Sequence, residues 1–167
     1  MPRQYYVIFN TAAGWVGLMG SAAGLKYSTL PQPSREQANI TLGIDINKTP
    51  LSQEYFKDLI KRFQDYFEGR GIDFPEKLNL SQATVFQRKV WRAARQIPFG
   101  QVRSYGWIAR KIGKLGAARA VGQALGKNPL PIIIPCHRVL NSDGKLGGFS
   151  GGLAMKKRLI SLENRPG

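Results

Sequence analysis

The sequence predicts an α/β protein of the segregated α+β kind, with a small antiparallel meander and one long helix first and a set of short helices after them. Three observations carry this expectation. Aromatic and β-branched residues gather in short runs before residue 31, separated by glycine-bearing turns. Tyr55, Phe56, Leu59, Ile60, Phe63, Tyr66 and Phe67 fall on one face at helical spacing. Beyond residue 84, capping residues, small-residue stretches and glycine stops recur at intervals suited to short helices.

Residues 5–9 (Tyr-Tyr-Val-Ile-Phe) are the first expected strand and residues 14–20 the second, with Thr11, Ala12, Ala13 and Gly14 as the turn between them. Residues 25–30 supply a third, and the short connections make the order antiparallel. Pro31, Gln32, Pro33 and Ser34 break the meander. A helix follows over 53–68, with Ser52 as N-cap and Gly69 and Gly71 as its stop. Residues 70–80 read as a linker where the charge balance changes, so one domain is expected over 1–79 and another over 80–167. Thr84 and Gln87 have capping-box spacing, and Phe86, Val90, Trp91 and Ala94 mark the apolar face of a helix ending before Pro98. Ser104 caps a helix over 105–112, Gly113 stops it, and residues 116–126 form another, rich in Ala and Gly. Helix, short glycine turn and small-residue helix on a basic background is helix-turn-helix spacing, although an ordinary helical hairpin has the same pattern. Residues 132–134 read as a buried strand or extended segment, 144–152 as a glycine-rich loop and 153–163 as the last helix.

A chain of 167 residues, 43% of them apolar, is long enough to bury a core. No apolar run approaches the ~18 residues of a membrane-spanning helix. The start, Met1-Pro2-Arg3-Gln4-Tyr5-Tyr6, lacks the apolar stretch of a signal peptide. One cysteine cannot form an internal disulfide, so a reducing cytoplasm is the expected compartment. One Cys and one His cannot build a Cys/His zinc site, and no metal or cofactor is expected. The net charge of +15 is unevenly held: residues 1–80 carry 9 Lys/Arg against 8 Asp/Glu, and residues 81–167 carry 16 against 2. Such a field suggests a polyanionic partner, nucleic acid first, with anionic membrane or a solubility surface as alternatives.

The only cysteine and the only histidine, Cys136 and His137, stand side by side after Pro135. A thiol attacks as thiolate, and a nearby imidazole is the usual means of making one at neutral pH. Neighbours in an extended segment point to opposite faces, so contact would require a turn or a bridging water. A buried structural thiol is the alternative. A histidine base needs an orienting partner, and the second half offers two carboxylates, Asp143 and Glu163. Tyr105 and Arg119 lie on the two helices of the candidate DNA-binding unit. There a tyrosine can bond a phosphate or base edge and an arginine can fill a gap in a base stack. Solvated surface positions are the alternative for both. The loop Gly147-Gly148-Phe149-Ser150-Gly151-Gly152 lacks P-loop and dinucleotide spacing, and suggests close approach of backbone to a ligand.

The run from Arg119 through Asn128-Pro129 to Pro135-Cys136-His137-Arg138-Val139, followed by Gly147 to Gly152, resembles the O6-alkylguanine-DNA alkyltransferases, also called methylated-DNA–protein-cysteine methyltransferases. The resemblance covers at least residues 84–163. More loosely, the first half is similar to the family's ribonuclease-H-like N-terminal domain, and the second is expected to hold a winged-helix-like helix-turn-helix. The family's activity is direct DNA repair: a guanine alkylated on O6 is flipped out of the duplex, and a thiolate, here Cys136, takes the alkyl group by in-line displacement. The resulting thioether has no easy route back, so each molecule acts once. By resemblance His137 removes the thiol proton through a bridging water and Glu163 orients His137. Arg119 fills the space left by the flipped nucleotide, and Ala117, Ala118 and Ala120 let its helix enter the minor groove. Tyr105 presses on the neighbouring phosphate and donates toward the flipped ring. The carbonyls of Cys136 and Val139 accept from the exocyclic amine, Ser150 donates to O6, and Asn128 braces the turn before the active-site segment.

The implied partner is double-stranded DNA carrying O6-alkylguanine, with O4-alkylthymine as a second lesion, bound through the minor groove by a monomer without membrane, metal or cofactor. Phe149 stands where many relatives have tyrosine, and Gln123 where relatives often have glycine. A non-catalytic alkyltransferase-like binder of damaged DNA is the alternative, but such proteins replace the cysteine that this chain keeps. A Cys-His hydrolase is a third class and would require an oxyanion hole.

Overall fold

Three strands open the chain: β1 (Tyr5–Thr11), β2 (Gly14–Ser21) and β3 (Gly24–Ser28), paired antiparallel in that order. They are seen in a computed structural model that describes residues 2–165. The first turn is tied by Thr11, whose Oγ1 donates to the Gly14 carbonyl at 2.7 Å and accepts from the Ala13 amide at 3.1 Å. Val7, Ile8 and Phe9 are consecutive and all buried, so both faces of β1 are covered. Register explains how. Ile8 pairs with Gly17, where an added Cβ would lie 3.2 Å from Leu42 of helix α1 (Arg35–Leu42). Phe9 pairs with Val16 on the other face and meets Phe63 of helix α2 (Lys57–Phe67), ring centroids 5.9 Å apart.

Neither outer edge of this sheet is bare. On β1, Tyr6 bonds the Pro50 carbonyl (3.1 Å) and the Ser52 amide (3.0 Å). Two and four residues on, the Ile8 carbonyl accepts from Arg35 and the Asn10 carbonyl from Gln64. On β3, Leu25 bonds the Lys77 carbonyl (2.9 Å) and the Asn79 amide (2.7 Å). The end of the expected 70–80 linker is therefore sheet-bound. Gly24 permits it: at φ 124° an added Cβ would sit 2.7 Å from the Leu78 carbonyl carbon.

Two helical readings of the first half need correction. Helix α1 was not expected, because only Ala38 and Leu42 are buried on it, too few for a clear stripe. Its ends are marked by Ser34, which accepts from the Gln37 amide, and by left-handed Gly43. Helix α2 starts at Lys57 rather than 53, since Gln53–Phe56 form tighter turns through i−3 bonds. Ser52 caps that turn by accepting from the Tyr55 amide at 3.1 Å.

The chain divides into two compact units, Met1–Leu80 and Ser81–Gly167. In the second, α3 (Val85–Arg95) begins with the capping box: Thr84 and Gln87 exchange side-chain-to-amide bonds of 3.0 Å. Helix α4 (Tyr105–Lys111) is capped by Ser104, and α5 (Ala118–Gly126) begins two residues later than expected. Trp91 locks α3 to α5 by donating Nε1–H to the Ala124 carbonyl at 2.9 Å. Beside these helices lies a two-stranded parallel pair, β4 (Arg103–Ser104) with β5 (Val139–Leu140), too short to announce itself in sequence. Residues 132–134 are buried but not extended. They make a tight turn, with the Ile134 amide on the Leu130 carbonyl (2.8 Å) and Ile132 at φ 76°. An apolar run reports burial and leaves backbone shape open, which is why the strand expectation fails here. The last helix, α6 (Leu153–Glu163), falls where expected. The result is a mixed α/β arrangement of a small sheet and helices.

Candidate active site

The turn that follows Pro135 decides the geometry. Cys136–Arg138 form one 3₁₀ turn, so Cys136 and His137 do not face opposite sides of an extended strand. Cys136 is 5% exposed. Its Sγ accepts from Asn128 Nδ2 at 3.1 Å, while the same amide nitrogen donates to the Ile134 carbonyl at 2.8 Å. Asn128 Oδ1 accepts from the Leu130 amide at 2.8 Å. These three bonds fix the amide's orientation, because the flipped form would set two acceptors against each other at Ile134 and two donors at Leu130. The sulfur is thus met by a committed donor. Burial pushes the thiol above its ordinary range, and the Asn128 bond and the Lys156 charge offset part of that rise.

His137 is fully buried and meets Glu163 through Nε2···Oε2 at 2.6 Å. Glu163 also accepts from Arg138, Nε to Oε1 at 2.8 Å and Nη2 to Oε2 at 3.0 Å, and from the Gly100 amide at 3.2 Å. Burial alone would raise the Glu163 carboxyl, but the bonds and charge of His137 and Arg138 outweigh it and hold it down at about 2. An ionised carboxylate only accepts, so Nε2 carries the hydrogen, and in the neutral ring Nδ1 is the basic nitrogen. Burial lowers His137 below its usual value; Glu163 works against that, and Arg138 and Lys156 work with it.

Above the thiol lies a cleft of about 530 Å³ lined by Cys136, Tyr105, Arg119, Gly122, Phe149 and Ser150 among others. Its outer wall is the glycine-rich loop, held in place by a residue that sequence reasoning had passed over. Lys156 of α6 is fully buried, and its Nζ donates to the carbonyls of Leu146 and of Gly148 (3.1 Å) and to the Tyr105 hydroxyl (3.4 Å). The ammonium also stands 5.6 Å from the Tyr105 ring centre and 6.0 Å from that of Phe149. Burial lowers Lys156 to about 8, although the neighbouring Cys136 opposes the shift. Gly147 does allow a close backbone approach, but to Tyr105. At φ 68°, an added Cβ would lie 2.9 Å from that hydroxyl.

The expected site residues therefore occupy two places. Tyr105, Ala118, Arg119, Cys136 and Ser150 line the cleft. Asn128, His137 and Glu163 hold the thiol and its surroundings from within the fold, and Val139 is buried where β5 begins. Ala117 is half-buried, whereas Ala118, Arg119 and Ala120 are exposed on the first turn of α5. Asp143, the other carboxylate considered for His137, is exposed and caps its own loop through the Lys145 amide. Two residues were missed. The sequence marks Arg138 only as part of a motif, and gives Lys156 no place in the site. The signal for Lys156 was present: with Leu159 and Glu163 it recurs at i, i+3 and i+7, the buried stripe of α6.

Comparisons with known proteins point to one family. A family model for the DNA-binding domain of 6-O-methylguanine DNA methyltransferase matches residues 85–165. A methylated-DNA–protein-cysteine methyltransferase of Methanosarcina acetivorans is 38% identical over 161 residues, 96% of this chain and 98% of that one. A protein of the same name from Mycolicibacterium paratuberculosis is 49% identical over 110 residues, 66% of each chain. Among solved structures, Mycobacterium tuberculosis OGT in complex with DNA aligns with a TM-score of 0.78 at 39% identity, covering 95% of this chain and 92% of that one.

Proposed function

Since the chain belongs to the family of methylated-DNA–protein-cysteine methyltransferases, we propose that it repairs DNA directly, moving the O6-alkyl group of a flipped-out guanine onto Cys136 in a single irreversible turnover. The observation that carries this reading is a lone buried thiol lining the cleft, with His137 in the same 3₁₀ turn paired to the Glu163 carboxylate at the end of α6. Because burial disfavours the thiolate, the proton must leave as the reaction proceeds, and His137 is the base on hand. It takes the Cys136 proton at Nδ1 through a bridging water, while Glu163 steadies the imidazolium that forms. The sulfur lone pair then forms the S–C bond as the C–O6 bond breaks. Its electron pair stays on guanine, which takes up one proton and leaves. Ser150 and Tyr105 meet the departing base as donors, and the carbonyls of Cys136 and Val139 accept from its exocyclic amine. Asn128 braces the turn that presents the thiol.

Arg119 fills the duplex gap left by the flipped nucleotide, and Ala117, Ala118 and Ala120 keep the start of α5 slim enough for the minor groove. The exposure of Ala118, Arg119 and Ala120 beside the cleft supports this role. The partner is double-stranded DNA carrying O6-alkylguanine, with O4-alkylthymine as a further lesion, and the working form is a cytoplasmic monomer. No helix among the described residues is long and apolar enough to cross a membrane. Residues 1–79 act as a ribonuclease-H-like domain and 80–167 as the DNA-binding and alkyl-transfer domain. The β4–β5 pair beside α4 and α5 supports a winged-helix-like character for the latter. A non-catalytic damage binder is disfavoured, because Cys136 is retained with its base.

The test is intact mass after incubation with O6-methylguanine DNA. A gain of ~14 Da, one hydrogen exchanged for a methyl, is expected on the wild type and not on Cys136→Ala. Repaired lesions should never exceed protein molecules; an unchanged mass on folded protein, or multiple turnovers, would defeat the reading.

A further inference from the structure

At least four donors converge on the Glu163 carboxylate, and the proposed chemistry uses only His137. Arg138 supplies two of them and sends its third arm, Nη1, to the Ile97 carbonyl at 2.6 Å. It is 7% exposed, so a full positive charge is stored within the fold.

The net charge of this cluster sets the protonation state of the ring. A buried neutral histidine beside an ionised carboxylate carries a net charge of −1, and taking up a proton would neutralise the pair. Low dielectric therefore favours the imidazolium in an isolated pair. With Arg138 added, the cluster is already neutral while the ring is neutral, and protonation would leave it at +1. Among the described residues Lys156 of α6 also acts on His137 by its charge, and Cys136 is a titratable neighbour in the turn. Helix α3, packed against the same turn, buries Val90, Trp91, Ala93 and Ala94, none of them titratable.

We propose that Arg138 is a positioning residue that keeps His137 neutral at rest, so that the ring is free to accept the Cys136 proton; the inference rests on the alkyl-transfer reading above. Arg138 thus acts through Glu163. It shares the carboxylate between a permanent cation and the ring, and so prevents His137 from being protonated before substrate arrives.

His137 is the only histidine of the chain, so its ring signals in a proton–nitrogen spectrum of the full-length protein are unambiguous. The wild type should show a neutral ring with hydrogen on Nε2 at pH 7. In Arg138→Gln the titration midpoint should rise by about one unit or more, tenfold in proton affinity. Arg138→Lys keeps a cation and should return the midpoint toward the wild-type value. Benzyl transfer from O6-benzylguanine to Cys136, followed by intact mass, should slow in Arg138→Gln at pH 7 in step with the fraction of rings that the spectrum shows protonated, and recover toward pH 9. A merely structural role would lower the rate at every pH alike and leave the midpoint in place, and either result overturns the proposal. An imidazolium in the wild type at pH 7 also overturns it, even where Arg138→Gln does not fold. A wild type that takes no benzyl group defeats the alkyl-transfer reading instead, and the histidine titration still decides what Arg138 does.

Discussion

At the scale of single residues, the site is a set of buried polar groups that constrain one another. Lys156→Met keeps much of the stem but withdraws the donors that serve Leu146 and Gly148. A loss of about 1–3 kcal/mol in thermal or urea unfolding is expected. Acid should act through Glu163 and His137. Glu163 is held down to about 2 in the fold, against an ordinary 4.5, so its contribution is complete above 4.5 and disappears as pH falls toward 2. His137 is also depressed, so below its ordinary 6.5 the unfolded chain binds a proton that the folded site refuses, and stability declines there first. Urea midpoints should therefore fall from pH 6.5 downward, and Glu163→Gln should flatten the lower limb. The adjacency of Cys136 and His137 was legible in the sequence, whereas their shared 3₁₀ turn was not. That turn depends on Asn128, eight residues before the thiol, reaching the Ile134 carbonyl. For Lys156 the spacing with Leu159 and Glu163 marks a buried position, but lysine is ordinarily a surface residue and only three-dimensional packing assigns it carbonyl partners.

Secondary-structure elements were read from the sequence wherever one face is strongly apolar or a cap is local. The capping box of Thr84 and Gln87 and the aromatic stripe of α2 are of that kind. Helix α1 and the β4–β5 pair were not, since the first buries two residues and the second has two residues per strand. The α3–α5 contact offers a direct check. Trp91→Phe leaves the ring's apolar bulk but removes the donor to Ala124, and about 1 kcal/mol of stability should go with it. For α5 the expected signature is a split between substrates. Arg119→Ala should weaken repair of duplex DNA by tenfold or more while leaving transfer from free O6-benzylguanine nearly unchanged. Equal losses on both would remove Arg119 from the flipping step.

For the whole molecule, charge is the property that sequence reports most directly, because it needs no geometry. Residues 81–167 hold 16 of the 25 basic residues and 2 of the 10 acidic ones. Affinity for undamaged duplex should fall steeply with salt as phosphate counterions are released, while benzylguanine labelling should respond far less. Fluorescence anisotropy at two or more salt concentrations measures the slope, and a flat line would argue against a phosphate-bound mode.

The first unit adds a property of another kind. The outward carbonyls of β1 at Tyr6, Ile8 and Asn10 are answered by residues 52, 35 and 64, and Leu25 of β3 is clasped on both sides by residues 77 and 79. An open three-stranded sheet would ordinarily recruit stray strands from its neighbours. Here the chain itself occupies part of each rim among the described residues, which leaves copies held at high concentration fewer open positions along which to zip together into fibrils or swap segments.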